Sequence, residues 1–148
     1  MNIIGFGGGG CKIAAGFSKY PQYDVYRIDA GIRGENCFNV PEQKSHEAYE
    51  ENYPSFANQF QKITGETIFV LTGAGTISGC VLRVLEELSH NPTTVVYVQP
   101  DLALLSEVEL KQEKIVYNVL LWNARKNILG FKFTNSRGAG RHSHNGIL

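Results

Sequence analysis

Two glycine-rich turns, each between a strand-like and a helix-like run, restrict most strongly how this chain can fold. The first turn, Gly-Phe-Gly-Gly-Gly-Gly at 5–10, follows the apolar residues 2–4, and the second, Thr-Gly-Ala-Gly-Thr-Ile-Ser-Gly at 72–79, follows the apolar run 67–71. Glycine lets backbone N–H groups approach an anion closely, and a helix that begins just after such a turn presents its positive end there. Two such turns predict two backbone cradles around one polyphosphate.

Strand-like and helix-like segments alternate along most of the chain. The predicted strands are 1–4, 23–28, 67–71, 94–98 and 128–134, and the predicted helices are 12–18, 47–64, 80–88 and 106–124. Residues 32–45 are polar and predict an irregular connection, and Pro54 must interrupt the second helix. This order predicts an α/β domain of three layers, a mostly parallel, Rossmann-like sheet with helices on both faces. Both turns should lie at the carboxyl edge of the sheet, where ligands bind in such folds.

Two apolar patterns at helical spacing belong to this prediction. Tyr49, Tyr53, Phe56 and Phe60 recur every three or four residues and predict the core-facing side of their segment. The helix at 106–124 carries Ile115, Val119 and Trp122 on one stripe.

Composition narrows the class of protein. The 148 residues suit one domain, and the formal net charge of +0 without charge blocks argues against nucleic-acid or anionic-membrane binding. No apolar run approaches the roughly 20 residues of a membrane span. The widely spaced Cys11, Cys37 and Cys80 favour a reducing compartment, so we expect a cytoplasmic protein, or one in host cytoplasm or a virion if the chain is viral. Cys11 lies at a predicted helix start, which would lower its pKa.

The chain carries little signal for a metal site. Residues 136–148 are rich in glycine, arginine and histidine and predict a flexible or docking tail. His142 and His144 lie two residues apart within it, without a third ligand, so we expect no metal site there.

The first turn also fits the dinucleotide-binding fingerprint. Gly5, Gly7 and Gly10 match G-x-G-x-x-G, and Asp29 lies about 20 residues further on. A Rossmann-type dinucleotide-binding protein is therefore one hypothesis, although it leaves the second turn unexplained.

The order of motifs over residues 1–135 resembles the nucleotide-binding domain of the tubulin/FtsZ family. The family opens with a turn similar to G-x-G-G-G-G-x-N and carries a signature loop, G-G-G-T-G-[ST]-G, after a later strand. The matching residues are Gly5, Gly7, Gly8, Gly9 and Gly10 in the first turn and Gly73, Gly75, Thr76, Ser78 and Gly79 in the second. Ala74 and Ile77 replace signature glycines, and a β-branched residue tolerates positive φ poorly, so we expect a reshaped second loop.

The resemblance implies GTP or GDP as ligand, with Mg²⁺ as a possible companion, and phosphates held by both turns. Lys12, in place of the family's Asn, would add a positive charge near a phosphate. Asp29 would lie near the metal ion, and Glu107 and Lys111 near the ribose and the rest of the nucleotide. The end of the last strand, at Asn135, resembles the family's Pro-Asn-Asp.

The resemblance also implies a homo-oligomer or a larger protein assembly, of which a viral particle is one example. In the family, the acid that orients the attacking water comes from a neighbouring subunit, through a segment after the part matched here. We therefore expect little or no autonomous GTP hydrolysis, with Asp101 and Glu109 as possible substitutes across an interface. Four hypotheses stay open: a guanine-nucleotide-binding assembly subunit, a weak GTPase needing a group from another chain, a dinucleotide-binding protein, and a purely structural subunit.

Overall fold

The computed structural model describes residues 1–136, so the predicted tail and its two histidines lie outside the described residues, apart from Ser136. Its centre is a sheet of six parallel strands in the order β3-β2-β1-β4-β5-β6. The strands are β1 (Asn2–Phe6), β2 (Asp24–Ala30), β3 (Cys37–Val40), β4 (Thr67–Leu71), β5 (Thr93–Tyr97) and β6 (Lys132–Asn135). This is the strand order of doubly wound nucleotide-binding folds, and it confirms the predicted α/β, Rossmann-like class.

The prediction that both glycine turns lie at one edge is also confirmed. β1 pairs in parallel with β2 on one side and with β4 on the other, so the carboxyl ends of β1 and β4 are adjacent. The bounds predicted for β4 are those observed. The strand β3 was not predicted. It is a four-residue edge strand that pairs with β2 alone and includes the exposed Asn39, so it lacks the apolar run that marks the inner strands.

Five α-helices connect the strands. They are α1 (Gly7–Ala15), α2 (His46–Glu51), α3 (Ala57–Phe60), α4 (Val81–Glu87) and α5 (Glu107–Lys126). Short 3₁₀ turns cover Thr76–Cys80 and Leu102–Leu104. The single helix predicted at 47–64 is therefore wrong in its extent, because the chain leaves α2 at Asn52 and passes through Pro54 and a left-handed Ser55 (φ 61°) before α3.

The main core lies on the face of the sheet covered by α2 to α5. Tyr49, Tyr53, Phe56 and Phe60 are all buried there, as their spacing predicted, although they belong to two short helices and the link between them. The opposite face carries α1, where Ala14 packs with Ile3 and Val70 in a smaller cluster.

The helix α5 is closed at both ends by standard caps. Ser106 and Glu109 form a capping box, and Asn127 ends the helix in the left-handed conformation (φ 52°). Its buried side includes Val116, Tyr117 and Leu120. The predicted stripe of Ile115, Val119 and Trp122 exists, but Ile115 and Trp122 point away from the core.

One carboxylate holds the link between α2 and α3 in place. Glu87 accepts hydrogen bonds from the Tyr53 hydroxyl (2.6 Å), the Ser55 hydroxyl (2.5 Å) and the Phe56 backbone N–H (2.9 Å). Burial and the bond to Glu87 both raise the pKa of Tyr53, so this phenol stays a donor.

We expect Glu87→Ala to lower the free energy of unfolding by about 2–4 kcal/mol, because it leaves the buried Tyr53 hydroxyl and the Phe56 N–H without their acceptor. Glu86→Ala is the matched control, since the neighbouring Glu86 is exposed. Urea unfolding of both variants measures the difference. Equal stability of the two variants would contradict this role for Glu87.

Candidate functional site

The first glycine turn joins β1 to α1 with no intervening loop. Gly7 takes φ 74° and starts the helix, and Phe6 before it supplies no side-chain cap. An added Cβ at Gly5 would come 2.5 Å from the Gly10 carbonyl oxygen, and one at Gly10 would overlap the carbonyl oxygen of Val70. Gly5 and Gly10 are therefore required for packing α1 against β1 and β4, whatever binds at the turn.

Gly8 differs from its neighbours because it faces open space. A Cβ at Gly8 would have no heavy atom within 4 Å, whereas one at Gly9 would lie 2.7 Å from the side chain of Thr72. The first N–H groups of an α-helix have no partner within the helix. An uncapped helix start beside an open glycine is the geometry in which proteins place anions.

The second turn is also shaped by close packing. Gly73 has φ 80°, and a Cβ there would lie 2.6 Å from the ring of Tyr97. A Cβ at Gly79 would overlap the carbonyl oxygen of His46, so α2 lies directly against this end of the turn. Between them, Ser78 is buried while Gly75 is exposed.

Ile77 shows how the second turn accepts a β-branched residue where the family has glycine. It lies within the 3₁₀ turn Thr76–Cys80, without positive φ, and its side chain is buried in the main core. Its Cγ2 would be 3.5 Å from a Cβ at Gly7 and 3.9 Å from one at Gly75. The side chain therefore fills space between the two turns, which leaves the side toward Gly8 as the accessible part of the crevice.

The two turns meet at the carboxyl ends of β1 and β4, where the strand order of the sheet reverses its direction. Thr72 lies against Gly9, and Ile77 lies against Gly7. The strand order runs outward from β1 in one direction and from β4 in the other, so this junction is the topological switch point of the sheet. Ligands of open α/β sheets bind in the crevice at that point.

Asp29 lies next to this crevice, at the carboxyl end of β2. One of its carboxylate oxygens accepts a hydrogen bond from the Ala30 N–H at 2.8 Å. Its negative charge helps burial to raise the pKa of Cys11. Lys12 is exposed on α1.

The expectation that the helix start lowers the pKa of Cys11 is wrong. Burial, followed by the negative charge of Asp29, raises the pKa of this thiol to about 11. The Cys11 thiol lies 3.5 Å from the carbonyl oxygens of Gly5 and Ile28, to which it donates. A buried, protonated thiol is a packing residue at this position.

Glu107 and Lys111 lie on the exposed first turns of α5. Lys111 borders a cavity of about 290 Å³ between α2 and α5, together with Lys44 and His46. An adjoining cavity of about 220 Å³ is bordered by His46 and by Ser78 and Gly79 of the second turn. The structure thus brings Lys111 near the far end of the second turn, on the α2 side, and neither cavity is bordered by residues 7–10.

No pattern in the sequence singles out His46 as a site residue. Its backbone carbonyl supports Gly79, its side chain borders both cavities, and its Nε2 is buried without a hydrogen-bond partner among residues 1–136. Burial lowers the pKa of its imidazole, which favours the neutral form. Only the spatial approach of α2 to the second turn identifies it.

Within the described part of the chain, no three histidine, cysteine, aspartate or glutamate side chains form a group able to hold a metal ion. Magnesium at nucleotide sites commonly uses one or two carboxylates together with phosphates and water. A single carboxylate, that of Asp29, is compatible with that arrangement.

Comparison with known proteins adds no family assignment: neither a protein-family model nor a curated protein sequence matches this chain. The resemblance to the tubulin/FtsZ family therefore rests on the motifs and their order. Over residues 1–136, no helix combines the length and the apolar character that crossing a bilayer requires.

We expect Cys11 and Cys80 to react slowly with iodoacetamide at pH 8 in the folded protein. Burial raises the pKa of Cys11 to about 11 and that of Cys80 to about 12, so little reactive thiolate is present at pH 8. The rate of alkylation of both thiols should therefore increase with pH up to those values. The half-buried Cys37 should be modified first. Mass spectrometry of timed digests measures the order, with unfolded protein as the control in which all three react. Modification of Cys11 ahead of Cys37 would contradict it.

Proposed function

We propose that this chain binds a guanine nucleotide through its phosphates at the junction of β1 and β4, and acts as a subunit of a larger protein assembly. The observation that supports this most directly is the pairing of two glycine turns at the switch point, with Gly8 open beside an uncapped helix. One such turn is common, whereas two facing one crevice suit a polyphosphate. The choice of guanine rests on the family resemblance.

The residues divide into those that would contact the ligand and those that shape the turns. The N–H groups around Gly8 and Gly9 would hold phosphate oxygens, together with those of the exposed Gly75 and the half-buried Thr76 in the second turn. Asp29 would hold the magnesium ion, which supplies charge neutralisation at the phosphates.

The remaining candidate residues have less direct parts in this proposal. Lys12 would add an exposed positive charge, and Glu107 with Lys111 would lie toward the ribose. Gly7, Gly10, Gly73, Ser78 and Gly79 would act through the shape of the turns, because close packing or burial already accounts for their positions.

A Rossmann-type dinucleotide-binding protein is the second candidate. It is favoured by the strand order and by Asp29 at the end of β2, the place of the residue that binds ribose in that class. A structural subunit with empty turns is favoured by Ile77, which fills part of the space between them. Denaturing the purified protein and identifying released nucleotide by mass separates these candidates. GTP or GDP supports the first, NAD or FAD the second, and no nucleotide the third.

We expect Gly8→Ala to weaken binding of labelled GTP by at least about 10-fold, because its methyl group enters the open space where the phosphate would lie and displaces the anion from the N–H groups. The variant should remain folded, since the methyl meets no protein atom and alanine favours a helix over glycine by about 1 kcal/mol. Lys12→Ala should have a smaller effect, since it removes one exposed charge.

Gly16→Ala, at the exposed other end of α1, is the matched control and should bind like the parent protein. Gly9→Val is less informative, because its side chain collides with Thr72 whether or not a ligand binds. Unchanged GTP affinity in a folded Gly8→Ala protein would contradict the proposed binding of phosphate at this turn.

We expect the chain alone to hydrolyse GTP slowly or not at all. Phosphoryl transfer needs a positioned water as well as charge stabilisation, and in this proposal Asp29 already serves the metal. Asp101 and Glu109 are engaged as caps, accepting from the N–H groups of Ala103 (3.1 Å) and Ser106 (3.0 Å).

Steady-state phosphate release over a range of protein concentrations measures this activity. Turnover that rises steeply with concentration would contradict the expectation and indicate a site shared between chains. Loss of that turnover in Asp101→Asn or Glu109→Gln would identify the shared acid. The unpaired cysteines favour a reducing compartment, so the proposed setting is a cytoplasm, or host cytoplasm or a virion if the chain is viral.

A further inference from the structure

Thr72, the first residue after β4, brings a hydroxyl group to the first turn of α1. It follows Leu71, where β4 ends, and begins the second glycine turn. A Cβ added at Gly9 would lie 2.8 Å from the Thr72 hydroxyl oxygen and 2.7 Å from its methyl carbon. The side chain of Thr72 therefore joins the two turns on the side of the sheet that carries α1.

The alternation of side chains along β4 explains this position. Successive residues of a strand point to opposite faces of the sheet. Leu71 belongs to the main core, whereas Val70 packs with Ala14 of α1 in the smaller cluster on the other face. Thr72 lies two residues after Val70, so it points to the face of Val70 and meets α1.

The hydroxyl group of Thr72 is open to a ligand. The residue is half-buried. Within residues 1–136, the buried side-chain nitrogen and oxygen atoms that lack a hydrogen-bond partner all belong to His46 and Asn135. The Thr72 hydroxyl makes no hydrogen bond in this part of the chain, so it is accessible from the crevice. By contrast, the hydroxyls of Thr67 and Thr93, at the beginnings of β4 and β5, each donate to a backbone carbonyl at 3.1 Å.

This hydroxyl is also within reach of an anion held by α1. The first N–H groups of a helix, which here include those of Gly8 and Gly9, have no partner within the helix. Covalent geometry places the nitrogen of Gly9 about 2.5 Å from the position of a Cβ on the same residue, so it is no more than about 5 Å from the Thr72 hydroxyl oxygen. One acceptor atom can bridge two donors at that separation, because each hydrogen bond spans about 2.9 Å.

We propose that Thr72 is a further ligand of the phosphate held by the N–H groups of Gly8 and Gly9, and that its hydroxyl donates a hydrogen bond to a phosphate oxygen. The proposal rests on the proposed function, to which it adds a side-chain donor. It also gives the second turn a direct contact with the phosphate at the residue where that turn begins.

The other role open to Thr72 is packing alone, through the contact of its methyl group with Gly9. The two roles predict opposite results for a pair of variants. Thr72→Val keeps the branched shape and the methyl group but lacks the hydroxyl, whereas Thr72→Ser keeps the hydroxyl but lacks the methyl group. Loss of a phosphate ligand weakens binding in the valine variant, whereas loss of packing affects the serine variant.

The experiment measures the affinity of the parent protein and both variants for GTP and for tripolyphosphate, a probe without base or ribose. Mg²⁺ is present, because Asp29 beside the crevice otherwise repels an anion. Thr72→Val should weaken binding of both probes by at least about 10-fold, the usual effect of removing one hydrogen bond to a charged group. Thr72→Ser should bind nearly as well as the parent protein, and thermal unfolding shows that each variant is folded.

Thr94→Val is the matched control and should bind like the parent protein. Thr94 is also half-buried, but it lies on β5 beside a cavity at the opposite edge of the sheet, where the strands begin. The substitution therefore makes the same chemical change away from the crevice.

The outcomes separate this proposal from the proposed function. If the parent protein binds GTP and Thr72→Val binds it equally well, the role of Thr72 is overturned and the nucleotide site remains. A weakened Thr72→Ser beside an unaffected Thr72→Val also overturns it, in favour of packing. Binding of tripolyphosphate that is lost in Thr72→Val, without binding of GTP, supports Thr72 and contradicts the choice of nucleotide. A parent protein that binds neither probe overturns both proposals.

Discussion

The close approach of α1 to the sheet is the constraint on which the candidate site depends. The backbone of α1 lies against β1 at Gly5 and against β4 at Gly10, where a Cβ would overlap the carbonyl of Val70. Only this contact allows a helix to start directly at the end of β1 while its first turn touches the residues that follow β4. The parallel pairing of β1 with β4 places the two glycine turns side by side at the switch point of the sheet, and the packing of α1 at Gly10 holds the start of the helix against the end of β4.

Much of the fold could be predicted from the sequence because its signals are local. The apolar run at 67–71 between polar residues defined β4 correctly, and the strand–turn–helix order implied parallel strands with both turns at one edge. The edge strand β3 and the position of the break between α2 and α3 could not be predicted from such local signals. A four-residue strand beside one neighbour needs no apolar pattern, and Pro54 shows that a helix is interrupted without showing where it resumes.

The site was predictable at the level of the turns but not of the individual residues. Matching glycines gave no indication that Gly10 and Gly79 contact other segments while Gly8 faces open space. Similarly, the position of Cys11 at a helix start suggested a lowered pKa, but burial and Asp29 raise it. Each of these differences comes from a neighbour distant in sequence, such as Val70, His46 or Asp29, and only the folded chain brings those neighbours together.

The residues of the proposed nucleotide site come from two regions of the domain. The crevice is formed by β1, α1 and the residues after β4, whereas Glu107 and Lys111, which would lie toward the ribose, are on the first turns of α5. These regions are connected through Tyr97, whose ring supports Gly73 and whose hydroxyl donates to the buried carboxylate of Glu113 on α5 at 2.6 Å. That bond leaves from the inner side of α5, so the outward side chains can be exchanged without disturbing the support of the second turn. The inner side of α5 therefore supports the second turn, while the exposed first turns of the same helix carry the two residues proposed to lie toward the ribose.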